Sequence, residues 1–499
     1  DLIQRARTAF QTGRTLAESF RLAQLEALVQ MLEEHQCDFV DALGRDLHKP
    51  RFETIMSELI LVKNEALYAT DNLRKWMQPQ RVERNLVRHA LPKITSPYFQ
   101  DYSQIAFRTF CPAAPGQSIV LPKKISALCE GCRLCVVFSV RPEQATSLDE
   151  CLVASEPLGL VLIVGSWCSP VQLCLVPLVG AVAAGNCAII SPSECSAHTA
   201  ELLHRLIPFY LDNECFHVIL AGTNDLPEIV DLKFDHVFFT GSREEGRRVA
   251  QAAARTITPV TLVLGSKNPC YVDRDCEVSV AAQRIAWARF HNAGQSLVAP
   301  DYVLCHADVE ARLVQALKCC VMQFYGSDPA ESRSYGRLVN LELFNRTKDL
   351  LWRSGKVAAG GQVIEAEKYI APTILTGVTE TDPIMQKDAL GPVLPVMAVN
   401  SLDAAIAFIN KHEKPLCVYA YSSNSKVVSR LMNETSSGSF CSNDSILQSL
   451  MVALPFGGVG ASGMGSFHGR RSFDTFSHGK SCLLRSTRFE CLTYLRYPP

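Results

Sequence analysis

The chain has 499 residues, 47% hydrophobic and 20% charged, a composition that suits a globular protein with more than one core. Its 49 Lys and Arg almost cancel its 50 Asp and Glu, and no basic block stands out, which argues against a nucleic-acid partner. The 20 cysteines are scattered, the first thirty residues do not read as a secretory leader, and no apolar run is long enough to span a bilayer. The expectation is a protein of reducing, cytoplasmic surroundings that meets a membrane only through a C-terminal lipid tail beyond this chain.

Residues 1–86 read as helices. Phe20, Leu22, Leu25, Leu28, Val29 and Leu32 recur at helical spacing, and Leu59, Ile60, Val62 and Leu67 begin a second such stretch. Residues 87–144 carry six prolines and no sustained period, so they read as an atypical insertion. Within it, Cys129-Glu-Gly-Cys132-Arg-Leu-Cys135 has metal-like spacing without a nearby fourth ligand, and no metal site is assigned.

From Leu158 the pattern alternates. Apolar strands are expected at 159–165, 187–190, 215–220, 236–240 and 258–264, with helices at 172–184, 196–210 and 244–254. Gly185-Asn186 is expected to close the first of these helices. A second unit follows, with strands at 301–305, 370–375, 393–399 and 417–421, and helices at 278–290, 309–324 and 402–409. Continuous apolar strands separated by helices imply parallel sheets covered on both faces, an α/β fold. The last sixty residues, rich in glycine, then aromatic and basic, read as loops and an extended arm.

Asp46-Leu-His-Lys49, Phe239-Thr-Gly-Ser242, Asn268-Pro-Cys-Tyr-Val-Asp273, Asn292-Ala-Gly-Gln295, Ala299-Pro-Asp-Tyr302, Tyr369-Ile-Ala-Pro-Thr373, Gly391-Pro392 and Pro455-Phe-Gly-Gly458 stand in a fixed order. In that order they resemble class 3 aldehyde dehydrogenases. Phe473-Asp-Thr-Phe-Ser-His478 and Arg496-Tyr-Pro-Pro499 resemble the B-type branch. The resemblance covers about residues 1–86 and 145–499. It implies two parallel-sheet, Rossmann-like domains plus a bridging, oligomerising arm. The expected boundaries are 1–86 with 145–262 for the cofactor domain and 263–433 for the catalytic domain. A glycine-rich loop and the C-terminal arm take 434–499. The resemblance also implies NAD or NADP, a homodimer, and oxidation of medium- or long-chain or aromatic aldehydes to acids.

The family's chemistry needs a cysteine thiolate to attack the carbonyl, an asparagine to stabilise the oxyanion, and a glutamate to activate the water that releases the acid. All three matching positions are substituted here. The motif opened by Asn292 ends in Ser296-Leu297, so leucine stands where the cysteine is expected. Val263 stands at the glutamate and Cys168, after Trp167, at the asparagine. Leucine has no lone pair to offer. Ser296 is expected to point away from Leu297 in an extended segment, and Cys305 to be packed in a strand. The cofactor positions change less evenly. Ser191 replaces a lysine, Glu194 keeps the acid, and Gly241, Ser242 and Gly246 keep the strand-to-helix turn. Glu244 and Glu245 add negative charge there. Asp388 and Leu390 replace the glutamate and phenylalanine that hold the nicotinamide ribose. Trp167 reads as a core or a pocket residue, and Lys267 as half of a surface pair. The readings left open are a dehydrogenase, a catalytically inactive homologue acting as a binding or dimer partner, and a degenerate gene product.

Overall fold

The computed structural model describes residues 2–82, 150–222 and 224–485. The insertion expected over 87–144, its cysteine cluster and the motif ending at Pro499 lie outside those residues. The chain divides into a unit of residues 1–78 with 155–479 and a second of 79–154 with 480–499. In the second, Gln80–Arg81 pairs antiparallel with Glu150–Pro157, and Ser477–Leu484 lies on the other side of that strand.

The large unit holds two sheets. The first runs Gly463–Met464, Val260–Leu264, His236–Gly241, Leu160–Val164, Cys187–Ser191, Phe216–Val218, and every pair is parallel except the first. Leu160–Val164 and Cys187–Ser191 are buried at every position, which is why their runs are apolar without alternation. Counting its five parallel strands in chain order gives 3-2-1-4-5, a doubly wound sheet. Its switch point lies between Leu160–Val164 and His236–Gly241, and in open sheets of this kind ligands bind beyond the carboxyl ends of such strands. The second sheet runs Lys356–Ala359, Thr373–Thr376, Val393–Val399, Tyr302–His306, Pro269–Val272, Cys417–Tyr421, Ser439–Ser442, with only the first pair antiparallel.

Most expected elements appear within a few residues. Gln172–Ala184 is a helix closed by Gly185 at φ +92°, whose N–H donates to Ala181 O and Val182 O. Leu25, Leu28 and Leu32 are buried on the Glu18–Glu34 helix, whereas Leu67, expected on an apolar face, is exposed.

The glycine-rich end departs from the expected loops. Gly463–Met464 extends the first sheet, and Gly469–Thr475 is a helix packed on Gln172–Ala184. At Gly463 the backbone crosses so close that a Cβ would lie 2.0 Å from Leu262 O, so glycine is a packing requirement there.

Candidate active site

The segment expected to carry the nucleophile is held by strained backbone and buried hydrogen bonds. Asn292, Ala293 and Gly294 all have left-handed φ, at +51°, +52° and +74°. Two of them carry a Cβ, a strained conformation that persists only when its surroundings enforce it. The enforcing bonds are explicit. Asn292 Nδ2 donates to Cys168 O and Gln295 O at 2.8 and 2.9 Å. Gln295 Nε2 donates to Asn292 O and Arg337 O, and its Oε1 accepts from Val339 N. Asn268 Nδ2 donates to Leu297 O and Ala299 O. Arg289, fully buried, bonds Asp301, Pro300 O and Gly391 O.

That framework presents Leu297, half-buried, to a cavity of about 70 Å³. Val263 and Cys168 line the same cavity, so the structure brings the three substituted positions together. Leu173, Leu416, Leu450, Phe456 and Phe467 add apolar wall. Cys168 is buried, and burial raises its thiol pKa, with the Glu58 charge adding to the rise. Its Sγ lies 3.6 Å from Ser166 Oγ, and that contact and the Lys49 charge act to lower the pKa but do not outweigh burial. Trp167 is half-buried against the core and is not among the cavity residues.

Neither substitute nucleophile is activated. Ser296 also lines the cavity, contrary to the expected outward aim, because the segment turns at Leu297–Val298, where Ala299 N–H donates to Ser296 O, and is not an extended strand. Its Oγ accepts from Val298 N at 3.4 Å and meets no base among the described residues. Cys305 is fully buried in Tyr302–His306, and burial pushes its thiol up to about 12.

Three buried or partly buried acids that sequence reading passed over tie the site together. Glu53 Oε2 accepts from Asn292 N at 3.0 Å, Glu58 Oε2 from Gln172 N at 2.9 Å, and Glu65 Oε1 from Gly469 N at 2.6 Å. Each carboxylate therefore anchors the backbone of a different cavity-forming segment. Lys49 neutralises Glu58 at 2.5 Å, both side chains fully buried. His468, a cavity residue, faces Glu65 at 3.0 Å. Burial acts to raise the Glu53 pKa, but the His291 and Lys49 charges and the Asn292 N–H outweigh it, and the net shift is downward.

The alignment of these acids depends on a π-helical turn at Ile55–Leu59 between two α-helical stretches. In a plain α-helix, residues five apart point about 140° from each other, and the extra residue of a π turn reduces that to about 40°. Glu53 and Glu58 thereby reach one face. The seven-residue step to Glu65 leaves it about 20° away.

The positions expected to hold a cofactor lie at several places around the first sheet. Ser191, buried, ends its strand, and its O accepts from Gly165 N. Glu194 stands over Gly222, where a Cβ would be 2.8 Å from its Oε2. Beneath Asp388 and Leu297 lies Gly265, with Asp388 Oδ2 and Leu297 Cδ2 3.4 and 3.6 Å from where a Cβ would sit. Burial raises the Asp388 pKa, against the opposing charges of Lys267, Arg243 and Arg346. Leu390 has φ +44° and is half-buried. Lys267 is not half of a surface pair: it is largely enclosed, and its Nζ donates to Ile384 O at 2.8 Å.

A dinucleotide would meet an acid at Glu194 and a glycine floor at Gly265. The diphosphate position does not fit as it stands. Gly246 is buried in the first turn of the Arg243–Arg255 helix. At that helix start, Ser242 N–H and Oγ–H both donate to Glu245 Oε2, at 3.0 and 2.6 Å. No described helix is long and apolar enough to cross a membrane.

The Aldehyde dehydrogenase family profile matches residues 135–482. Aldehyde dehydrogenase family 3 member B1 of Homo sapiens is 44% identical over 499 residues, covering 100% of this chain and 94% of its own. The dimeric NADP-preferring aldehyde dehydrogenase of Canis lupus familiaris is 40% identical, covering 100% and 97%. The substrate-bound state of Staphylococcus aureus AldH superposes with a TM-score of 0.85 at 35% identity, over 100% of this chain and 96% of that one. The chain belongs to the aldehyde dehydrogenase family, in the B-type branch of class 3, whose members' common reaction is the NAD- or NADP-dependent oxidation of aldehydes.

Proposed function

We propose that this protein keeps the family's scaffold as a binding protein and does not itself oxidise aldehydes. The observation that carries this reading is Leu297 at the head of an intact nucleophile loop, facing a cavity that Val263 and Cys168 also line. NAD or NADP would supply a hydride acceptor when bound. The chain still lacks the thiolate that makes the hydride donor, the donor that stabilises the oxyanion, and the base that frees the acid. These losses fall on different steps, so no single neighbour repairs them. The apolar wall supports medium- or long-chain or aromatic compounds as occupants. Similarity to the dimeric canine enzyme supports a homodimer for this chain, with a role as a pairing or binding partner.

The test is NADH and NADPH formation by the purified, folded chain with octanal, hexadecanal and benzaldehyde. No rate above the enzyme-free blank is expected. A steady rate that survives Leu297→Ala would overturn the reading and direct attention to Ser296 and Cys305. Light scattering on the same sample tests the dimer, and a monomer at micromolar concentration refutes it.

A further inference from the structure

We propose that Glu245 is an internal occupant of the diphosphate subsite and sets how weakly this chain binds NAD, NADP and any other ADP-ribosyl compound. The inference rests on the reading that the dinucleotide cleft is retained.

The Arg243–Arg255 helix begins at the switch point, directly after the strand His236–Gly241. Its amino end offers unpaired N–H groups and the positive end of the helix dipole, which suits a diphosphate. In this chain the sequence Ser242-Arg-Glu-Glu245 makes a capping box there. Ser242 Oγ accepts from Glu245 N at 3.2 Å, while Ser242 N–H and Oγ–H both donate to Glu245 Oε2. One carboxylate oxygen thus takes the two donors that a phosphate oxygen would need.

The same carboxylate closes over the glycine floor. A Cβ on Gly241 would lie 3.1 Å from Glu245 Oε2. A diphosphate arriving there meets a like charge at contact distance as well as donors already engaged. Two adjacent cations are turned to other partners. Arg243 Nε donates to Gly265 O at 2.9 Å, and Arg248 is paired with Glu244 at 2.8 Å. Glu245 is only half-buried, so its cap can open, and the penalty is finite. An exposed cap of this kind corresponds to about tenfold in affinity.

Glu244 supplies the internal control. It carries the same charge one residue earlier, but it is exposed, faces Arg248, and makes no bond to Ser242. A general surplus of negative charge predicts equal effects from both residues. Occupancy of the subsite predicts an effect from Glu245 alone.

Isothermal titration of the full chain with ADP-ribose, NAD and NADP, without aldehyde, decides the matter. Glu245→Val is expected to bind all three at least ~10-fold more tightly than the unaltered chain. Glu245→Gln keeps a neutral cap of the same shape and is expected to gain ~3-fold or more, which carries the test if the valine variant does not fold. Glu244→Gln should change affinity less than ~3-fold. Unchanged binding in both Glu245 variants, no measurable binding by either, or an equal gain from Glu244→Gln overturns the proposal. Because no turnover is read, a chain that oxidised aldehyde and still showed the Glu245 effect would sink the non-catalytic reading and leave this one standing.

Discussion

The loop at Asn292–Leu297 and the helix start at Ser242–Glu245 have changed in opposite ways. In the loop, the left-handed residues and the bonds from Asn292, Gln295, Asn268 and Arg289 remain, yet the side chain they present has lost its chemistry. At the helix start the donors survive, but a new acid satisfies them from within. The loop is a mount without its reactive group. The helix start is a working mount with its own chain seated on it. A framework can outlast the chemistry it served because packing and buried hydrogen bonds stabilise the fold whether or not a substrate ever reacts.

The contrast can be broken most severely at the loop. Leu297→Cys alone should give at most about one NADH per chain and no steady turnover, because Val263 cannot activate the deacylating water. Adding Val263→Glu and Cys168→Asn should restore turnover, with the asparagine alone contributing on the order of a hundred- to a thousandfold. Pre-steady-state and steady-state NADH formation checks both, and robust turnover by the single variant would show that the base at position 263 is dispensable.

The framework itself should be costly to disturb. Arg289→Met leaves Asp301 buried without its cation and should lower stability by about 3–5 kcal/mol in guanidinium unfolding. A loss under about 1 kcal/mol would mean that the loop does not depend on this anchor.

The strand that leads to the helix start predicts an acid sensitivity. His236 is buried, its Nε2 lies 3.1 Å from Thr261 Oγ1, and burial lowers its pKa to about 4. The unfolded chain takes up this proton below about pH 6.5, and the folded chain only near pH 4. Folding stability should therefore decline as pH falls through that window, by up to ~3 kcal/mol from this group. Unfolding midpoints at pH 7 and pH 4.5 measure the decline, and His236→Asn should shrink it.

The smallest effect concerns thiols. Exposed Cys37 and Cys319 should alkylate with iodoacetamide at least ~10-fold faster than Cys168, whose thiol burial keeps protonated. Equal labelling at pH 8, read by peptide mass spectrometry, would reopen Cys168 as a nucleophile.

Most of the doubly wound sheet was legible because strands such as Leu160–Val164 are apolar throughout and alternate with amphipathic helices. Ordered motifs singled out Leu297, Val263 and Cys168, and the structure lines one cavity with all three. Three features were not. Ser296 was assigned the wrong direction because nothing in its sequence announces the turn at Leu297–Val298. Glu245 was readable as added charge, but its bond to Ser242 needed coordinates. Glu53, Glu58 and Glu65 were passed over, since the five-residue step from Glu53 to Glu58 shares no α-helical face until one turn widens.

That widened turn has a genetic consequence. A π turn is a one-residue insertion absorbed by a helix, so Glu53 and Glu58 keep one face although five residues separate them. Point substitutions there can leave the agreement intact. Loss of a single codon within the turn would remove the extra residue, set the two acids four apart on a plain α-helix and leave them about 40° from each other, with Glu53 still turned to Asn292.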